Sequence, residues 1–159
     1  MTPFAERICE IPDVFDAERG GDVLASVQKA LDQDPVSADT AELLRAPKVA
    51  AFLTAIFSAS PYLSALSVRD PELLVACLTE YPDSHLPEAG ARLEAALAQV
   101  PSEAEAMAML RKFKQHSALV TALADLGGVW TTAGTLKGLS DAADTAIRAA
   151  VNYLFRKAY

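Results

Sequence analysis

Apolar side chains recur at helical spacing along most of the chain, and the rhythm is cut where proline or glycine follows a short polar residue. Val23, Leu24, Val27 and Leu31 share one face of a helix opened by Asp22 and stopped near Asp34-Pro35. Asp39 and Glu42 have capping-box spacing for a short helix through Leu43 and Leu44 that ends before Pro47. Val49, Phe52, Leu53, Ile56 and Phe57 then form a dense core face. Ser60-Pro61 and Asp70-Pro71 each pair a capping side chain with proline at the first helical position, where its missing N–H costs nothing. They open one short helix through Tyr62, Leu63 and Leu66, and another through Leu73, Leu74, Cys77 and Leu78.

Pro82 and Pro87 are expected to flank a loop holding His85, after which an alanine-rich helix with Leu93 and Leu97 runs from Leu86 to Val100. Ser102 and Glu105 form a second capping box and launch what is expected to be the longest helix, near 103–126. It runs through Met107, Leu110, Phe113, Val120 and Ala124 to Gly127-Gly128, where glycine suits a left-handed cap. Its second half adds Leu119, Leu123 and Leu126 on the opposite side, the mark of a centrally buried segment. Trp130 is expected to seal the next turn. A last helix near 133–157 places Leu136, Leu139, Ala143, Ile147, Ala150 and Leu154 on one packed face. Asp141, Asp144 and Arg148 lie on the other, with Asp144 and Arg148 spaced for an ion pair worth about 0.3 kcal/mol.

No run alternates with a period of two, so the fold class is all-α: a single irregular multi-helix domain of about six to eight helices. Residues 1–21, with Pro3, Pro12 and Gly20-Gly21, read as an irregular arm with one short helix, and 22–159 as the helical domain. A hydrophobic fraction of 52% in 159 residues is enough for a real core and argues against disorder across the whole chain. The net charge of −7 is unevenly spread, with ten acids and four bases in 1–46, eight and three in 47–109, and three and seven in 110–159. The basic end therefore looks for an acidic surface, either the chain's own or another's. Nucleic-acid binding is disfavoured by the acidic balance. Two cysteines far apart, Cys9 and Cys77, no signal-peptide core and no apolar run of membrane-spanning length lead to the expectation of a reduced, cytoplasmic, monomeric protein.

The chemistry is sparse. His85 and His116 have no second histidine or cysteine at helical ligand spacing, and His116 lies near Arg111 and Lys114, so no metal site is expected and both read as exposed or capping. Asp141 and Asp144, with Asp125, could in principle hold magnesium, but solvated or ion-paired carboxylates are the simpler reading. The basic cluster Arg111, Lys112 and Lys114 follows no glycine-rich loop, and Gly127-Gly128 follows a helix and lacks the P-loop lysine. No nucleophile elbow occurs. No catalytic, cofactor-binding or metal residue is assigned; Arg111, Lys114, Asp141 and Arg148 are the candidate contact residues.

The order of motifs adds more. Leu110-Arg111-Lys112-Phe113-Lys114, the block Leu119 to Gly128, and Leu139-Ser140-Asp141-Ala142-Ala143-Asp144 resemble the N-terminal helical region of the glutamine synthetase adenylyltransferase/adenylyl-removing enzymes. Ser60-Pro61-Tyr62-Leu63 and Asp70-Pro71-Glu72-Leu73-Leu74 are similar to that family's upstream elements, so the likeness covers roughly residues 45–159. Gln115-His116-Ser117 departs from it, since many members carry further charges there. The resemblance implies a parent enzyme with two nucleotidyltransferase-like halves using ATP and Mg2+, one adenylylating glutamine synthetase and one removing AMP by phosphorolysis. This chain would be the helical leader of the removing half, without the catalytic core. Its implied partners are the remainder of the parent enzyme, glutamine synthetase and the PII signalling protein. Two other readings stand beside it: a stand-alone helical interaction module, and an enzyme using Asp141 and Asp144 with magnesium.

Overall fold

The computed structural model describes residues 3–33, 38–99 and 102–158, with side chains left out at 38–41. Among the described residues there are nine helices and no strand: α1 (Phe4–Arg7), α2 (Ala17–Asp32), α3 (Ala38–Arg45), α4 (Pro47–Ala59), α5 (Pro61–Arg69), α6 (Pro71–Thr79), α7 (Pro82–Leu97), α8 (Glu103–Leu126) and α9 (Thr132–Ala158). The all-α class follows the apolar periodicity.

The capping signals act as their chemistry requires. Ser60 Oγ accepts from the Leu63 amide at 3.3 Å and Asp70 Oδ1 from the Leu73 amide at 3.0 Å, each with proline at the first helical position. Ser102 and Glu105 form a reciprocal capping box. At the other end of α8, Gly128 takes φ 63°, the left-handed conformation glycine adopts without a Cβ penalty.

Four local readings are corrected. The helix expected from Asp22 begins at Ala17, because Asp16 caps it by accepting from the Arg19 amide at 3.0 Å. Gly20 falls inside α2 because α4 presses against it: a Cβ there would lie 2.3 Å from the Thr54 carbonyl oxygen. Asp39 lies within α3 and not ahead of it, and its side chain is outside the described residues. The expected loop around His85 is the start of α7; Pro82 occupies the first position, and the Ser84 and His85 amides donate to the Tyr81 carbonyl at 3.1 and 3.0 Å. Pro87 sits inside that helix, its lost hydrogen bond offset by burial of Leu86, Ala89, Leu93 and Leu97.

Two apolar cores are strung along α8. The larger gathers α1, α2, α4, α5 and α6 around Phe52, Leu53, Ile56 and Phe57, and receives Leu119, Val120, Leu123 and Ala124 from the second half of α8. The smaller joins Ala89, Leu93 and Leu97 of α7 with Phe113 of α8 and with Ala149 and Tyr153 of α9. The apolar-on-both-sides pattern of α8 thus serves two neighbours in succession. Met107 and Leu126 are exceptions and remain exposed.

The largest correction concerns α9, at 27 residues longer than the 24-residue α8. Its expected core face is at the surface: Leu136, Ile147 and Leu154 are 61%, 63% and 58% exposed, and Leu139 is exposed beside them. The side that meets α7 and α8 is instead built from Ala142, Ala146, Ala149 and Tyr153. Small residues let helices approach closely, and the large aliphatics on another side of α9 are left outward. Periodicity locates a stripe but not what it faces.

Candidate functional site

The four expected contact residues are not gathered into one place. Lys114 is an exposed residue of α8. Arg111 lines a polar recess with Arg69, Asp70, Lys112 and Gln115, where Lys112 and Asp70 approach to 3.8 Å. Asp141 and Arg148 share a cleft of about 560 Å³ between α7 and α9, floored by Leu86, Gly90, Phe113 and Ala142.

Each charge on the cleft is already engaged. Arg148 donates from Nε to Glu94 Oε1 at 2.9 Å and from Nη2 to Thr145 Oγ1 at 3.3 Å, not to the expected Asp144, because α7 presents a carboxylate across the cleft. Asp141 accepts from Lys137 Nζ one turn away. With Lys157 on Glu103 at 2.9 Å, the basic end meets the acidic middle of its own chain. At the mouth, Asp83 accepts from Arg7 at 3.1 Å and from the Trp130 indole at 2.8 Å, so Trp130 closes the turn after α8 as expected. Partial burial of Asp83 opposes ionisation, but hydrogen bonds from Tyr81, Arg7 and Trp130 outweigh it and hold the carboxyl below its ordinary value.

These carboxylates do not fit a magnesium-nucleotide site. Asp141 is tied to Lys137, and Asp125 accepts from Thr135 Oγ1 at 2.8 Å. A metal for phosphoryl transfer needs converging oxygens with room for phosphate, and no step through ATP or Mg2+ is assigned to this chain.

One group that sequence spacing did not bring together does converge. Cys77 near the end of α6, His85 at the start of α7 and His116 in α8 have ligand atoms all within 4.8 Å of one another. The reading of the histidines as exposed or capping is corrected: His85 is 2% exposed and His116 is half-buried. Their Nε2 atoms face each other, with ring centroids 4.4 Å apart and planes at 71°. Cys77 Sγ lies 3.9 Å from His85 Nε2, and His85 Nδ1 contacts the Glu80 carboxylate. Burial, then the nearby charges of Glu80 and Asp70, push the Cys77 thiol far up. Burial, then His85, pulls His116 down to about 4. The three positions are 8 and 31 residues apart along the chain, so no local motif announces them.

By fold the chain is an all-helical domain whose described residues assemble no nucleotide-binding loop. It belongs to the glutamate-ammonia ligase adenylyltransferase family, whose profile matches residues 50–159. It is 36% identical over 157 residues to a bifunctional glutamine synthetase adenylyltransferase/adenylyl-removing enzyme of Bradyrhizobium diazoefficiens, covering 96% of this chain and 15% of that protein. Proteins of the same description from Xanthobacter autotrophicus and Rhodopseudomonas palustris strain CGA009 are 36% and 33% identical, covering 91% and 98% of this chain and 15% and 16% of theirs. The chain thus spans about one seventh of the length of these curated relatives. No solved structure is significantly similar to it. No helix among the described residues is long and apolar enough to cross a membrane.

Proposed function

We propose that this chain is the helical segment that supports the adenylyl-removing half of a glutamine synthetase adenylyltransferase, with α9 as the face that docks on the nucleotidyltransferase core. The observation that carries this is the uncovered stripe Leu136, Leu139, Ile147, Val151 and Leu154. Fully burying one such side chain is worth roughly 1.5–3 kcal/mol, so leaving several outward is costly unless something covers them. The occupant is the remainder of the enzyme, because the matched relatives carry most of their length outside the aligned part. Catalysis, ATP and Mg2+ then belong to that core. Glutamine synthetase and PII meet the assembled enzyme, a cytoplasmic monomer. Arg111 and Lys114, exposed on α8, offer cations to those partners.

The test is made in the full-length enzyme. Ile147→Glu with Leu154→Glu should lower removal of AMP from adenylylated glutamine synthetase at least tenfold and leave adenylylation nearly unchanged. Val68→Glu, at an exposed apolar position of α5, should alter neither. Full removal activity in the double variant would defeat the docking assignment, and loss of adenylylation alone would defeat the choice of half.

A further inference from the structure

We infer that Cys77, His85 and His116 form a binding site for a thiophilic divalent metal of the zinc type. The three side chains come from three different helices, and each brings a donor atom to within 4.8 Å of the other two. One thiolate and two imidazoles are a donor set suited to zinc, and too soft for magnesium or calcium.

The geometry is close to what such an ion requires. With metal–nitrogen bonds of about 2.1 Å and a metal–sulfur bond of about 2.3 Å, tetrahedral coordination separates the donor atoms by roughly 3.4–3.6 Å. Cys77 Sγ and His85 Nε2 stand 3.9 Å apart and all three donor atoms lie within 4.8 Å of one another, while the two Nε2 atoms, in direct contact, must part by about 1 Å to share one ion. The two rings meet at 71° with their Nε2 atoms turned toward each other.

Glu80 supplies the outer support. Its carboxylate accepts from His85 Nδ1–H, which fixes the tautomer with the proton on Nδ1 and leaves Nε2 as a bare electron pair. Carboxylate–histidine–metal chains of this kind orient the imidazole and raise its basicity. Binding replaces the Cys77 S–H bond with a sulfur–metal bond, and the proton leaves to solvent. The site has three protein ligands, so a water completes a four-coordinate ion.

The location gives the ion a role in the fold. On α7, His85 is followed by Leu86 of the larger core and Ala89 of the smaller one; on α8, His116 stands between Phe113 of the smaller core and Leu119 of the larger. The site lies on the seam between the two cores, and a bound ion would pin α6, α7 and α8 together there.

The experiment uses the intact chain, stripped with chelator and titrated with Co2+ alone and then Zn2+ alone. One equivalent of Co2+ should give a sulfur-to-cobalt charge-transfer band together with the intense visible bands of a four-coordinate ion, and Zn2+ should displace it. Zn2+ should raise the melting temperature of the chain. Cys77→Ser should abolish the charge-transfer band, and His116→Gln should weaken binding at least tenfold and cancel the thermal shift. Glu80→Gln should weaken binding about 10–100-fold while keeping the band. Cys9→Ser, which removes the exposed cysteine, should change nothing. Circular dichroism of each variant reports whether the helices persist, and the double variant His85→Gln, His116→Gln serves if Cys77→Ser does not fold. Absence of stoichiometric Co2+ binding by the wild-type chain, or a band that survives Cys77→Ser and vanishes in Cys9→Ser, would overturn the assignment.

Discussion

Gly20 and Gly21 are neighbours in α2 with opposite surroundings, so one substitution made at each isolates a single contact. A Cβ added at Gly21 meets nothing within 4 Å, whereas at Gly20 it would stand 2.3 Å from the Thr54 carbonyl oxygen and 3.0 Å from Thr54 Cγ2. Alanine in place of glycine in a helix gains about 1 kcal/mol from reduced backbone freedom, and that gain is common to both sites. At Gly20 it is opposed by overpacking. The obstructing atom is main chain and has no rotamer to change, so α2 and α4 must separate by about 1 Å, at a cost of about 1–3 kcal/mol. Gly21→Ala should therefore raise the melting temperature by about 2–4 °C, while Gly20→Ala should fall below Gly21→Ala by about 3–10 °C. Scanning calorimetry of the two variants beside the wild type measures both. Equal melting temperatures in the two variants would refute the close-approach argument, because the propensity term alone would then account for everything.

Other outcomes follow from the same contacts. Asp83 has a lowered pKa, so its contribution is complete above the unfolded value of 3.8 and lost as pH falls through the lower folded value. With the exposure of this side chain discounted, Asp83→Asn should cost about 0.5–1 kcal/mol at neutral pH and progressively less as pH falls below 3.8, and a deficit in urea midpoints that does not shrink with falling pH would contradict this. A double-mutant cycle on Arg148 and Glu94 should give a coupling of about 0.3–1 kcal/mol that shrinks in high salt, and the cycle on Arg148 and Asp144 should give none. Phe52→Ala should cost about 3–5 kcal/mol by chemical denaturation, since the ring is fully buried and packs on Phe4 at 6.2 Å between centroids.

The helices were legible wherever a local rule governs them. Ser60, Asp70 and Ser102 announce their helices because capping needs only a side-chain oxygen and an amide three residues on. The ends of α2 and α7 were not legible because glycine and proline, read alone, signal breaks; at Gly20 and Pro82 they serve a helix contact and a helix start, and only the neighbouring chain decides which. The outward stripe of α9 shows the limit of amphipathicity, since alanines at its inner side give a weaker signal than the leucines left at the surface. The family was readable from ordered motifs, but the cysteine–histidine cluster was not, because its members meet only after three helices have packed.

The Gly127 carbonyl accepts from the amides of both Cys9 and Glu10, at 2.9 and 3.2 Å, and so ties the start of the chain to the end of α8. That contact spans 118 residues, which fixes its place in the order of assembly. During synthesis at about 5–20 residues per second, the arm leaves the ribosome on the order of 6–24 s before the residue it bonds to. Throughout that interval Phe4 and Ile8, almost fully buried in the finished protein, lack the end of α8 that holds the arm in place. A segment made early in this stretch is therefore among the last to find its place, because its partner contact is so distant along the chain.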